Sequence, residues 1–245
     1  MRYMRWPLNN FGDNLNDEIF SQFGITEKVD FHKSNMFNQD RWTLLGLGTL
    51  INKKIASSMT VLGSGCNGTS KPNAHLDYVF VRGKLSAKYL NLDPALGLGD
   101  PVYFLSEWIQ NFAQPVIPGK VGIVPHWKTA IEGFNIISPQ LPVKDFIQEL
   151  SSCEYVFAEA MHGAMCADIL RRPFAPIKLQ SNFDEFKWQD WGTTIGKKFE
   201  FGDFQNHKFY ISKDKVLKKL STTVKNALEQ GIESTQIKLN SIIWC

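Results

Sequence analysis

Short runs of β-branched and other apolar residues alternate along this chain with longer stretches of helical periodicity, and no other feature constrains the fold as strongly. A strand that hands over to a helix and then returns parallel to itself builds βαβ units, so the expected class is α/β with largely parallel sheets. Strands are expected at residues 2–6, 43–47, 60–62, 78–81, 121–124, 135–137, 155–158 and 174–177. Helices are expected at residues 15–23, 84–91, 102–109, 144–151, 163–171 and 212–230. The last is the clearest, with Ser212 as a cap and Val216, Leu217, Leu220, Val224 and Leu228 along one apolar stripe.

A break is expected at residues 112–120, where FAQPVIPGK places two prolines and a glycine between patterned regions. It divides the 245 residues into two α/β domains, 1–112 and 113–245. A formal charge of +3 is too small to suggest nucleic acid as a partner. Cys66, Cys153, Cys166 and Cys245 form no C-x-x-C pair and no metal spacing with histidine, so reduced thiols, a cytosolic setting and no bound metal are expected. The start, MRYMRWPLNNFGD, lacks the apolar core of a signal peptide, and no uncharged apolar run reaches membrane-spanning length. Residues 182–207 are rich in aromatics and charge, and are expected to form a satellite core or a lid.

Polar residues recur where strands end. Gly63-Ser64-Gly65-Cys66-Asn67-Gly68 follows a strand but opens no helix and has no acidic partner about 20 residues on, so it is no dinucleotide fingerprint. Its glycines are expected to turn tightly or let backbone approach a ligand. Asn9-Asn10-Phe11-Gly12-Asp13-Asn14 carries more hydrogen-bonding capacity than one helix cap needs, which leaves capping and a hydroxylated or phosphorylated ligand both open. Arg82, directly after an apolar strand, is a candidate clamp for carboxylate or phosphate. Asp100 before Pro101 reads as a helix cap. His126 and Lys128 read as two cationic points. Finally, Glu159-Ala160-Met161-His162-Gly163 lies between a strand and a helix, where free amides favour an anion that His162 can bind or protonate.

Taken in order, these pieces resemble the polysaccharide pyruvyltransferase family, over residues 10 to about 179. The matching segments are Asn10-Phe-Gly-Asp13, Gly63-Ser-Gly65, Val81-Arg82-Gly83 with Ser86, Gly99-Asp100-Pro101, Pro125-His126, and Glu159-Ala-Met-His162-Gly163 with Ala167-Asp168. The last has the form of the branch that decorates bacterial exopolysaccharides. Many members carry arginine where this chain has Ala160, which leaves Arg82 and Lys128 to supply that contact.

The resemblance implies two Rossmann-like domains facing a cleft, as in GT-B glycosyltransferases, with the acceptor on the first and the donor on the second. It implies transfer of a pyruvyl group from phosphoenolpyruvate to two hydroxyls of a sugar, with no cofactor. The acceptor would be an oligosaccharide or lipid-linked glycan, met in the cytoplasm or at the inner face of the membrane beside an assembly complex. On this reading His162, Asp13 and Glu159 are catalytic, Arg82, Lys128, His126 and Gly163 hold the donor, and Asn10, Asn14, Ser64 and Asn67 hold the acceptor. A sugar-nucleotide glycosyltransferase of the same plan and a non-catalytic assembly partner remain as alternatives.

Overall fold

A computed structural model describes residues 1–6, 9–30, 42–55, 58–73, 75–133, 135–181 and 183–243, with the side chains of 242 and 243 not described; the readings above on Asn182 and Cys245 fall outside it. Two parallel sheets organise the molecule. Strands β1 (Arg2–Arg5), β2 (Lys28–Asp30), β3 (Thr43–Leu45), β4 (Thr60–Leu62) and β5 (Asp77–Phe80) form the first, in the order β2-β1-β3-β4-β5. Strands β6 (Val121–Val124), β7 (Tyr155–Ala158) and β8 (Phe174–Pro176) form the second, in chain order. Every pairing within these sheets is parallel, as the alternation of elements predicts.

Two strand expectations need correction. β2 is an additional edge strand, too short and too polar at both ends to stand out in the sequence. Residues 135–137 contribute a single bridge, Ile136 to Ile123, because Asn135 enters with φ 62 and cannot join an extended run.

Helix α1 (Phe11–Ser21) begins four residues before the expected start. The Asn10 carbonyl accepts from the amides of both Asp13 and Asn14, so Phe-Gly-Asp is already its first turn. α2 (Lys84–Tyr89) follows β5; a 3-10 turn at Pro101–Leu105 then leads into α3 (Ser106–Gln110). α4 (Val143–Ser151) and α5 (Met161–Ile169) flank β7, and α5 starts early enough to put His162 in its first turn. α6 (Glu185–Ile195) was not expected. It ends at Gly196, whose φ of 67 is a left-handed conformation that favours glycine. α7 (Asp214–Ile243) runs 30 residues, well past the expected end. Among the described residues no helix is long and apolar enough to cross a membrane.

One apolar cluster joins the two sheets. Phe11 of α1 stacks on Phe146 of α4 with ring centroids 3.7 Å apart, locking the first layer to the second. Residues 112–120 lie between the last strand of one sheet and the first of the other, and α7 then returns across the molecule. There Leu220 and Val224 pack at Gly99, and Gly231 lies against Leu62 and Val79. The aromatic segment after residue 182 is core: Trp188, Trp191 and Phe199 are buried with Phe174 and Tyr210, and the Trp191 indole donates to the Tyr103 hydroxyl at 2.8 Å. Cys66, Cys153 and Cys166 are buried free thiols.

Candidate active site

A cleft of about 480 Å³ opens where the carboxyl ends of β1, β3, β6 and β7 meet. In open α/β sheets this is the edge at which ligands bind. α1 brings Asn10, Gly12 and Asp13; the segment after β3 brings Gly48 and Thr49; the segment after β6 brings His126, Trp127 and Lys128; and the start of α5 brings Ala160 to Gly163. Lys54 and Lys187 line it too, so among the described residues three lysines face one carboxylate, that of Asp13. The amides of Met161, His162 and Gly163 precede the first possible hydrogen bond inside α5, which adds positive potential at the same wall.

His162 is held from two sides. Its Nε2 lies 3.4 Å from Oδ2 of Asp100, a carboxylate with no solvent exposure. The other Asp100 oxygen, Oδ1, accepts from the Val102 amide at 3.1 Å and fixes the carboxylate as the cap of the 3-10 turn. With the proton of the imidazole on Nε2 toward Asp100, Nδ1 is left as the basic nitrogen. That nitrogen packs over Gly12, where an added Cβ would stand 2.6 Å away. Gly12 is therefore needed for space: Gly12→Ala should force the ring off its place and lower kcat by about 10²-fold, while the thermal melting point changes little. Steady-state kinetics beside a melting curve would check this, and native turnover in the alanine variant would free the ring of the constraint.

Asp13 is nearly buried, and burial raises its pKa above the ordinary carboxylate range, opposed by the Asn10 hydrogen bond and then by His162, Lys187 and Arg5. The Asn10 amide donates to Oδ2 of Asp13 at 2.6 Å, so the pair works as a unit at the mouth of α1. A carboxylate raised in this way is suited to taking a proton from a hydroxyl.

Several expected roles are redirected by the geometry. Arg82 is wholly buried and does not line the cleft; its fork binds Oδ2 of Asp190 (3.0 Å), Oγ1 of Thr49 (3.1 Å) and the Cys66 carbonyl (3.1 Å). Gly65 and Gly83 leave the space for that pair, so the glycine-rich turn receives a side chain of this protein in place of a ligand. Glu159 is buried too. Its carboxylate accepts from the His126 amide (2.8 Å), the Thr129 hydroxyl (2.6 Å) and the Leu179 amide (3.1 Å), a clasp that ties two loops together and leaves little capacity for a base. His126 lines the cleft but is no cation near neutrality: burial, aided by Lys187 and Lys128 against the pull of Glu159, pushes its pKa down to about 4.

The expected acceptor residues divide. Asn10 lines the cleft, whereas Asn14 accepts from Arg5 at 2.9 Å in a neighbouring depression. Ser64 is buried, donating to the Gly48 carbonyl and accepting from the Leu50 amide, and Asn67 accepts from the Thr69 amide within its own turn. Lys128 is exposed at the cleft with its ammonium 4.9 Å from the Trp127 ring, and Gly163 sits against Val124, where a side chain would collide.

Residues 73–181 match the sequence profile of the family described as polysaccharide pyruvyl transferase. Through this segment the chain is similar to that family. Among curated proteins the chain is similar to the succinoglycan biosynthesis protein ExoV of Rhizobium meliloti (strain 1021), with 32% identity over 204 residues. The similarity covers 76% of this chain and 62% of that relative, so the chain spans less than two thirds of the relative's length. No solved structure gave a significant match. The pyruvyl transferase segment contains Asp100, His126, Lys128, His162 and Gly163, while Asn10, Gly12, Asp13, Thr49 and Lys187 reach the same cleft from outside it.

Proposed function

We propose that the protein transfers a pyruvyl group from phosphoenolpyruvate to two hydroxyls of one sugar in a bacterial exopolysaccharide or its lipid-linked precursor, forming a cyclic ketal. The observation that carries the reading is His162 at the start of α5, backed by the buried Asp100 carboxylate inside the same matched segment and facing a cleft lined by Lys54, Lys128 and Lys187. Similarity to the family over residues 73–181 and likeness to a protein of succinoglycan biosynthesis support the chemistry and the class of acceptor. We place the acceptor beside α1 and the donor beside α5, in an arrangement of two facing domains, 1–112 and 113–245, similar to GT-B enzymes. The enzyme would meet a lipid-linked acceptor at the cytoplasmic face of the membrane.

The transformation sets its own requirements. A proton adds to the methylene carbon of phosphoenolpyruvate, and positive charge develops at the carbon bearing the phosphate. One sugar hydroxyl attacks that carbon; a second hydroxyl of the same sugar then displaces inorganic phosphate. Two C–O bonds, one C–H bond and one O–H bond on phosphate form, while the C=C π bond, the C–O bond to phosphate and the two hydroxyl O–H bonds break; of the two hydroxyl protons one balances the new methyl hydrogen and the other leaves with phosphate. His162 is assigned to donating and receiving the proton, Asp13 with Asn10 to orienting and deprotonating a hydroxyl, and the α5 amides to the anion. Phosphate release from phosphoenolpyruvate should depend on an added galactoside, glucoside or mannoside, with mass spectrometry showing the pyruvyl ketal on the sugar. Release with no glycan dependence, or calorimetric binding of nucleotide sugars in preference to phosphoenolpyruvate, would sink the proposal.

A further inference from the structure

We infer that Lys187 is the cation that holds the ligand's phosphate group in this cleft, and that the buried pair Arg82–Asp190 is what keeps it in position. The inference deepens the reading above, but the binding role of Lys187 can stand without pyruvyl transfer. Lys187 lies six residues beyond the segment that matches the family.

The argument begins with α6. Asp184 caps this helix by accepting from the Lys187 amide at 3.1 Å, which places Lys187 in the first turn. Its side chain lines the cleft with Asp13, His162 and Gly163. Among the described residues its ammonium has no hydrogen bond and no carboxylate within ion-pair distance; Asp184, Asp13 and Glu159 attract it from farther off, and Arg82 repels it. Burial is the main cause of a pKa lowered from the ordinary lysine range. A largely buried ammonium without a close counter-ion is costly, and an anion entering the cleft would relieve that cost. The other two lysines differ: Lys54 and Lys128 are exposed, and Lys128 rests on Trp127. The α5 amides face the same space, so a phosphate there would be met by one ammonium and several N–H donors.

The second half of the inference explains why α6 stays put. Asp190, one turn after Lys187, accepts from Nε of Arg82 (3.0 Å), from the Ser86 amide (2.8 Å) and from the Ser86 hydroxyl (2.6 Å). Thr193 accepts from the Lys84 amide at 2.9 Å. Four hydrogen bonds thus fasten α6 to the start of α2, and Arg82 acts on the ligand through that helix as a positioning residue.

The test is calorimetric titration of inorganic phosphate, phosphoenolpyruvate and pyruvate into the native protein, Lys187→Met, Lys187→Arg and the surface control Lys88→Gln. Lys187→Met should weaken phosphate and phosphoenolpyruvate at least about tenfold, the loss of one charge-assisted contact, with pyruvate hardly affected and Lys88→Gln unchanged. At pH values where phosphate is already the dianion, native affinity should fall as pH rises through the lowered lysine pKa, earlier than an ordinary lysine allows; Lys187→Arg should remove that fall. Phosphate bound equally well by a folded Lys187→Met, or not bound by the native protein, overturns the inference and leaves pyruvyl transfer to its own assay. Lys187-dependent phosphate binding without phosphate release from phosphoenolpyruvate does the reverse.

Discussion

Replacing His162 by alanine should lower kcat by about 10³-fold, within the usual range for losing a positioned acid–base group, without unfolding the protein. The expectation rests on how the ring is held. Asp100 is fixed by its own capping bond before it meets Nε2, and Gly12 admits the opposite side of the ring, so the imidazole is oriented before any ligand arrives. Orientation of this kind gives a proton carrier most of its advantage. Asp13 is tied to Asn10 and raised by burial, which suits a base, so under the proposed reaction His162 is the group left to protonate the methylene carbon. Asp100→Asn should then cost less than His162→Ala, because it disturbs the ring and leaves it present. Stopped assays of glycan-dependent phosphate release would decide: a folded His162→Ala variant turning over within about threefold of native would remove the histidine from the chemistry, since general acid–base loss costs at least about 10²-fold.

The parallel strands were the most readable part of the fold because their signal is local. Residues 60–62, 121–124 and 155–158 are apolar runs bounded by turn residues, and the strands begin and end where those runs do. Helix starts were less readable. In Asn10-Phe-Gly-Asp13 a single backbone carbonyl accepts two amides and begins α1 early, and composition cannot tell this from a polar loop. α6 was hidden for a different reason. Trp188, Trp191 and Ile195 do mark one face, with Asp184 as cap and Gly196 as stop, but the buried Asp190 falls among them and breaks the apolar pattern.

The same residue explains which part of the cleft was missed. His162, Asp13, Asn10 and Lys128 could be found because each lies just after a strand, where a parallel sheet exposes polar groups at one edge. That rule also placed Arg82 and Glu159 in the cleft, and there it failed. Position after a strand cannot reveal whether a partner waits in another part of the chain. For Arg82 the partner is 108 residues away; for Glu159 the partners are loops of the second sheet. Asp100 was read correctly as a cap, but only its second oxygen reveals its part in the site.

The largest stability effect should come from that hidden pair. Arg82 and Asp190 are both without solvent exposure, so either substitution alone leaves a buried charge with no counter-charge. Asp190→Leu or Arg82→Met should each cost about 3–5 kcal/mol, as breaking a buried pair does elsewhere, a large share of the roughly 5–15 kcal/mol that holds a typical domain. Arg82→Lys should lie close to Arg82→Met, since one ammonium cannot reach Asp190, Thr49 and the Cys66 carbonyl together. The double variant Arg82→Met with Asp190→Leu should cost clearly less than the two singles added, because it removes both charges and leaves chiefly the Ser86 amide and hydroxyl without their acceptor. Urea unfolding of the native protein, Arg82→Met, Asp190→Leu and the double variant tests this through the coupling energy. Additive costs would mean that the two side chains do not work as a pair. Strong coupling would mean that α6, and with it Lys187, is held to the first sheet by a bond whose arginine the sequence pattern alone assigns to the ligand.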